Sequence, residues 1–372
     1  MLGILGLLSA LMAGAFSGIR SDMPDNDEPP AEDDFDQPLA TGSLLDDDVA
    51  DDAEADEAEA DDEPIDIGLP TEAGTPTGPP TDTGARIEDG DFDDDGMPDS
   101  DDIPDPIDAD TQLGGDAGED ILTGRDGDDT VTGGGGRDLL GGRGGDDLLA
   151  GGDGDDWLRG GAGADTLMGG SGADDLQGED GNDVLDSQTG DDTLFGHAGD
   201  DQLFGGDGDD SLLGGEGQDT LIAGDGDDTA GGGLGDDLIF GGAGADALDG
   251  GDGNDTIWGQ DSADGAVDFL NGGAGDDVLM LGAGDYGHGG DGADLFVLTD
   301  TDSPDALAQI TDFDGAQDSL IVYYDAALHP DPVLSLQTTA GSTAVTLLLD
   351  GVPVAEINGD PLTLNDITLE AA

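Results

Sequence analysis

Residues 115–258 are one nine-residue unit repeated sixteen times, with no insertion or deletion. The first units read GDAGEDILT, GRDGDDTVT and GGGGRDLLG, and the last reads GGDGNDTIW. With the unit numbered one to nine, position four is Gly in every copy and position six is Asp in every copy. Position eight is aliphatic throughout, mostly Leu, with Ala230 the weakest member. Self-similarity at a short fixed period dictates a stack in which each unit buries its apolar side only against its neighbours.

The positions have separate physical reasons. Gly at one, two and four admits positive φ and close approach of successive turns, so the first six residues read as a turn. Residues seven to nine read as a short strand with position eight pointing inward, because alternate strand side chains face opposite sides. Two units then make one coil of eighteen residues, and the sixteen units give eight coils, a rod of about 40 Å. One aliphatic side chain per unit is a thin core for ordering so much backbone, and the turns are lined with carboxylates that repel one another. A cation has to sit among them. Asp carboxylates and free Gly carbonyls are hard oxygen donors, which suits Ca²⁺ with its six to eight oxygens and tolerant geometry. Position-six acids two units apart fall on the same edge, one coil apart, so an ion can be shared between stacked turns, giving two rows of ions.

The unit resembles the glycine- and aspartate-rich nonapeptide of the RTX proteins, GGxGxDxUx with U a large aliphatic residue. The resemblance implies an all-β fold, a right-handed parallel β-roll loaded with several calcium ions. It carries the side-chain ligand role onto Asp120, Asp129, Asp138, Asp147, Asp156, Asp165, Asp174, Asp183, Asp192, Asp201, Asp210, Asp219, Asp228, Asp237, Asp246 and Asp255. Main-chain carbonyls of the glycine turn complete each site. Beyond Trp258 the register changes: residues 259–271 form a unit lengthened by four, with Asp268 in the ligand place, and residues 272–280 are regular, with Asp277. Residues 281–288 are degenerate and put Tyr286 where Asp is expected, so no full site is expected there; residues 289–297 restore the motif with Asp294, after which periodicity ends. Two units depart from the pattern: Ser187-Gln188-Thr189 lacks both leading glycines and Ala223 replaces one. Each is expected to weaken its site without breaking the coil. Composition alone describes a disordered Gly/Asp tract, so the fold is expected to be conditional on calcium.

The 372 residues hold 93 acids against six basic residues, for a net charge of −87, and beyond Arg159 there is neither Arg nor Lys. Such a field repels nucleic acid and anionic lipid alike. The lack of Cys excludes disulfides and thiolate metal sites, and 4% aromatics are too few for one large enzyme domain. Residues 1–19 are apolar, and three readings stand: a membrane tether long enough to span a bilayer, a cleaved signal peptide with Ala13-Gly14-Ala15 as its processing site, or a soluble apolar start. Residues 20–88 read as a disordered acidic region with a Pro/Thr/Gly linker, since residues 46–63 hold twelve acids and residues 70–84 read PTEAGTPTGPPTDTG. Within residues 89–110, Asp91, Asp93 and Asp95 precede Gly96, with Asp99 and Asp102 following. This resembles the D-x-D-x-D-G calcium loop of EF-hand, dockerin and thrombospondin type 3 modules; the other reading is more acidic linker.

The roll is assigned to residues 111–297 and a small β-rich cap to residues 298–372. Residues 310–320, ITDFDGAQDSL, resemble the closing segment that follows the last repeats of RTX proteases and lipases. Strands are expected at residues 320–323, 345–349 and 352–357, the last two joined by a tight turn at Asp350-Gly351. They would cover the open end of the roll. The resemblance also implies a C-terminal signal read by type I secretion machinery.

Catalytic chemistry is not apparent. The three histidines, His197, His288 and His329, lie outside any H-E-x-x-H pattern, with His197 and His288 expected at the surface, and no G-x-S-x-G or Walker sequence stands out. Without Lys the acylation that RTX cytolysins depend on is impossible, so toxin function is not carried over. The chain is expected to be a non-enzymatic, secreted or surface-tethered calcium-binding protein that folds in millimolar calcium. The alternatives are a surface adhesin or structural-layer component, and the calcium-stabilised carrier of a secreted hydrolase. At position nine of alternate late units stand Phe204, Ile222, Phe240 and Trp258, which Met280 extends; this apolar ladder is either packed against the cap or a neighbouring segment, or a docking patch for a glycan or protein ligand.

Overall fold

The computed structural model describes residues 110–259, 266–299, 306–338, 343–359 and 362–371. The expectations for residues 1–109, including the apolar start and the loop of Asp91, Asp93, Asp95, Asp99 and Asp102, lie outside the described residues. Within them every regular element is a β-strand. Consecutive strands go alternately to two sheets, of thirteen and fourteen strands, and strands one coil apart pair in parallel. Thr130–Gly135 pairs with Leu148–Asp153 through Thr130↔Leu148 and Val131↔Leu149, in the first sheet. Leu139–Gly144 pairs with Trp157–Ala162 through Leu139↔Trp157 and Leu140↔Leu158, in the second. The chain is therefore a parallel β-solenoid, as the repeat predicts.

The turn is shorter than expected. The strands run for six residues, joining positions seven to nine of one unit to positions one to three of the next, and only positions four to six turn. The reason is that the ladder does not stop at the glycines. Gly115 N–H donates to the Thr132 carbonyl (2.8 Å) and Gly135 N–H to the Asp116 carbonyl (2.9 Å), so positions one to three stay paired with the neighbouring coil. Position four needs Gly for two reasons. Its φ is positive, 108° at Gly136 and 128° at Gly172, and a Cβ there would run into the main chain of the turn one coil before, at 2.7 Å from the Gly118 carbonyl carbon for Gly136.

Between the sheets lies a single column of position-eight side chains, from Val131 through Leu149, Leu167 and Leu185 on one side and Leu140, Leu158, Leu176 and Leu194 on the other, all buried. Ala230 sits in the same column. The lengthened unit rejoins in register, with Ala247–Asp252 pairing to Phe269–Ala274. Both departures from the leading glycines are absorbed: Ser187 is buried and donates from Oγ to the Gly205 carbonyl (2.6 Å), and Ala223 is fully buried.

Stacking does not end with the last repeat. Ala308–Phe313 continues the second sheet and Ser319–Tyr324 the first. Val352–Gly359 then pairs in parallel with Ala308–Phe313, Val345–Leu349 joins it antiparallel, and Leu334–Thr338 forms the outer strand. The hairpin at Asp350 and Gly351 has φ of 50° and 83°, as a tight primed turn requires. Ile367–Ala371 closes the first sheet against Ser319–Tyr324. The cap thus lengthens both sheets where an end-covering layer was expected, and it adds apolar bulk, with the Phe296 and Phe313 rings tilted against each other at 6.1 Å and Leu320, Val322, Leu347 and Ile357 buried.

With one apolar side chain per half coil, each rung is irreplaceable. Leu203→Ala in the calcium-saturated chain is expected to cost about 2–5 kcal/mol, measured by denaturant unfolding, whereas trimming exposed Leu213 to Ala should leave the midpoint nearly unchanged.

Candidate metal-binding rows

The position-six acids sit immediately before each strand, and the parallel stacking superposes them one coil apart. Asp120, Asp138, Asp156, Asp174, Asp192, Asp210, Asp228, Asp246 and Asp268 form one row, and Asp129, Asp147, Asp165, Asp183, Asp201, Asp219, Asp237, Asp255, Asp277 and Asp294 the other, so every expected acid within the described residues is brought into line. From Asp129 onward they are almost inaccessible to solvent. In each row one oxygen replaces a backbone carbonyl in the ladder. Asp138 N–H donates to Asp156 Oδ1 (2.8 Å), Asp156 N–H to Asp174 Oδ1 (2.8 Å), Asp147 N–H to Asp165 Oδ1 (2.7 Å), and so on up the coil.

The second oxygen has no such partner. From Asp138 to Asp183 and from Asp201 to Asp237, and again at Asp255 and Asp277, Oδ2 is buried without a hydrogen bond. It shares its position with a main-chain carbonyl of the next coil. A Cβ on Gly142 would collide with Asp147 Oδ2 and lie 2.7 Å from the Gly160 oxygen; the Asp219 and Gly232 oxygens meet the same way at Gly214. At these glycines a carboxylate oxygen and a carbonyl oxygen occupy the place of a side chain; Ser187 and Ala223 are the two position-one residues of the sixteen units that carry one.

Two acids extend the rows where the sequence pattern gave no site. In the degenerate unit, Asp285 takes the place expected at Tyr286: it is buried and its Oδ1 accepts from Asp268 N–H at 3.1 Å. The unit has lost one residue ahead of the acid, so counting nine from Asp277 overshoots it. Asp318, past the last repeat, accepts from Asp294 N–H (3.0 Å). At the row ends the second oxygen is satisfied internally: Asp120 Oδ2 accepts from Asp116 N–H (2.9 Å), Asp285 Oδ2 from Gly282 N–H (2.5 Å) and Asp318 Oδ2 from Asp314 N–H (2.6 Å).

Position five also has a role that the sequence reading missed. Its exposed Asp or Asn caps the position-five N–H of the next coil: Asp128 Oδ1 accepts from Asp146 (2.9 Å), Asp146 Oδ1 from Ala164 (2.8 Å) and Asp227 Oδ1 from Ala245 (2.9 Å). This outer ladder runs opposite in polarity to the inner one. The frequency of Asp and Asn at position five was the available signal. His197 and His288 are exposed, as expected, and His329 Nδ1 lies 2.7 Å from Asp350 Oδ2.

The electrostatics are those of acids held together out of water. Burial, and then the neighbouring carboxylates of the same row, push Asp147, Asp174, Asp183, Asp219, Asp228 and Asp255 up to about 7, and Asp210 and Asp277 to about 6, from an ordinary value of 3.8. The accepted backbone N–H opposes the rise without cancelling it. Among the described residues no three acidic or imidazole side chains converge on one point, so an ion held here takes carboxylate oxygens from stacked turns and the rest from the main chain. Unpartnered carboxylate oxygens beside carbonyls, with no nitrogen or sulfur donor near, fit a hard cation.

The family model of the RTX calcium-binding nonapeptide repeat matches this region in overlapping segments that together run from residue 113 to residue 287. Residues 113–287 are RTX calcium-binding nonapeptide repeats. Ca²⁺ is the ligand that the donor set suits. No curated protein matches the chain. Asp318 and the cap strands fall beyond the matched residues, although the RTX coil continues into them without a break in the ladder.

Because burial raises Asp147, Asp174, Asp183, Asp219, Asp228 and Asp255 to about 7 from an ordinary 3.8, these carboxyls take up protons on folding between those values. Without metal, coil stability therefore rises as pH falls from about 7 toward 4 and is lost as pH rises through 7. Calcium must displace those protons, so its titration midpoint is expected to move to higher concentration between pH 8 and pH 6; a midpoint independent of pH would contradict the burial of these acids.

Proposed function

We propose that this protein is a non-enzymatic, exported calcium-responsive protein whose roll forms when the chain meets millimolar calcium outside the cell. The observation that carries this is the two rows of buried carboxylates in whose interior, from Asp138 to Asp183 and from Asp201 to Asp237, the second oxygen has no hydrogen-bond partner. In a compartment with sub-micromolar calcium, their mutual repulsion and desolvation oppose stacking. Where calcium is abundant, an ion bridging the Asp of one coil to that of the next supplies what the second oxygen lacks, and binding energy becomes folding energy. The ligands in this proposal are the position-six acids from Asp120 to Asp294, with Asp285 and Asp318 as additions, and carbonyls of the glycine positions. Export through type I secretion machinery follows from the family resemblance, as does a location outside the cell. Among the described residues no helix is long and apolar enough to cross a membrane.

One observation favours the adhesin reading as a second possibility. Phe204, Ile222, Phe240, Trp258 and Met280 do stack in register on the outer face of the first sheet, with the Phe240 and Trp258 rings 6.0 Å apart. The row passes through Val297 of the last repeat into Ile321 of the cap, which continues the ladder end to end.

The compaction of the full chain during a calcium titration, followed by sedimentation velocity, tests the proposal. The midpoint is expected in the range of extracellular calcium sensors and modules, above about 10⁻⁵ M; a midpoint below a micromolar would mean folding inside the cell and would sink the export switch. Asp183→Asn, which keeps the acceptor for Asp165 N–H but removes a charge, is expected to raise the midpoint while leaving the calcium-saturated β content intact.

A further inference from the structure

In fourteen of the sixteen units position one carries no side chain, and two oxygens share the space. The point where a Cβ would stand on Gly205 lies within a calcium–oxygen bond length, about 2.3–2.6 Å, of both Asp210 Oδ2 and the Ala223 carbonyl oxygen. The same point on Gly272 lies as close to Asp277 Oδ2 and the Gly289 oxygen. The open side of the glycine is therefore the seat at which an ion meets the acid of one coil and the main chain of the next. Gly142, Gly205, Gly214 and Gly272 lack the positive φ of position four, so a side chain at these places is opposed by the seat and not by the backbone.

Ser187 puts a hydroxyl there. Its side chain is inaccessible to solvent, and Oγ donates to the Gly205 carbonyl at 2.6 Å, the very oxygen that would flank an ion in a glycine unit, with the Phe204 carbonyl at 3.3 Å. Burial pushes the Asp192 carboxyl up, and the Asp174 N–H and the Ser187 hydroxyl hold the rise back, which sets the hydroxyl beside the other flank of the seat as well. A hydroxyl rotor turns its one proton toward either acceptor, so the two oxygens meet a donor where the other units leave room for a cation. The main chain of Ser187 stays in its ordinary role: its carbonyl lies 3.1 Å from the Cβ point of Gly169, beside Asp174 Oδ2. Only the seat at Asp192 is changed. Ala223, the second departure, differs in kind, because its methyl brings no donor and Asp228 Oδ2 stays buried without a hydrogen bond.

We infer that Ser187 replaces the ion at Asp192: its hydroxyl joins coil to coil where a cation does so in the neighbouring units, and the first row holds two runs of ions, one on each side of Asp192, in place of one. The inference rests on the calcium reading of the repeats and sharpens it, since Asp192 leaves the ligand set. The second row has Gly at position one in each of its units and is unbroken, so the two edges of the roll bind different numbers of ions, and the first edge has one rung whose closure does not depend on calcium.

Counting ions on the full-length chain tests this. With calcium saturating and the roll confirmed by circular dichroism, native mass spectrometry is expected to find one more calcium ion per chain in Ser187→Gly than in the unaltered protein. It is expected to find one fewer in Gly214→Ser, which sets the same hydroxyl between Asp219 Oδ2 and the Gly232 carbonyl of the second row. An unchanged or lower count in Ser187→Gly overturns the inference, a lower one by making the hydroxyl a ligand. If Gly214→Ser does not form the roll, the count in Ser187→Gly, which restores the repeat, decides alone. Failure of the calcium reading has its own signature: the unaltered chain and both variants would then form the roll without taking up calcium.

Discussion

The fold depends on a carboxylate that is asked to do two things at once. One oxygen of Asp147, and likewise of Asp183, completes the backbone ladder through the turn, and the other lies beside a carbonyl of the next coil without a hydrogen-bond partner. Burying a charge in that state is costly unless it is paired, and the upward shift of these acids toward 7 is the same cost expressed as proton affinity. Only two remedies exist, a proton or a cation. At neutral pH and above, the cation is the one that leaves the charge in place.

The other constraints follow from that geometry. Position one is Gly in all units but those of Ser187 and Ala223 because the acid's second oxygen and a carbonyl crowd its side-chain space, and position four is Gly because successive turns lie in main-chain contact. Strand pairing, acid stacking and turn stacking are therefore one event repeated along the axis, so each coil stabilises its neighbour and little is gained by a coil alone. The position-five caps tie the outside of each turn to the next in the opposite sense. Where the acids end their rows, local N–H groups of residues 116, 282 and 314 take up the second oxygen, which marks the interior of the rows as the part that requires a metal.

Much of this was legible in the sequence, because a nine-residue period with an unvarying Asp and a single aliphatic position leaves one way to stack. The eighteen-residue coil, the inward Leu column and the aromatic ladder all follow from counting. What counting could not supply came from its own rigidity. Asp285 was hidden because one residue is missing ahead of it, and Asp318 because its surroundings no longer repeat; in both, the coil preserves the acid's place before a strand and lets the spacing drift to 17 and 24 residues. The six-residue strands were missed because Gly reads as turn, although these glycines keep their ladder bonds. The role of position five was missed because its Asp and Asn alternate with Ala, Arg and Gln, which obscures a bond that only stacking reveals.

An acidic, Lys-free, Cys-free chain with calcium-binding repeats is suited to a setting rich in divalent ions, and on the proposed reading its order is set by that setting. The most direct test is far-UV circular dichroism of the full chain at neutral pH before and after exhaustive chelation, with calcium then restored. The account predicts that chelation abolishes the β spectrum of the roll and that calcium brings it back; an unchanged β spectrum in the chelated chain would contradict it.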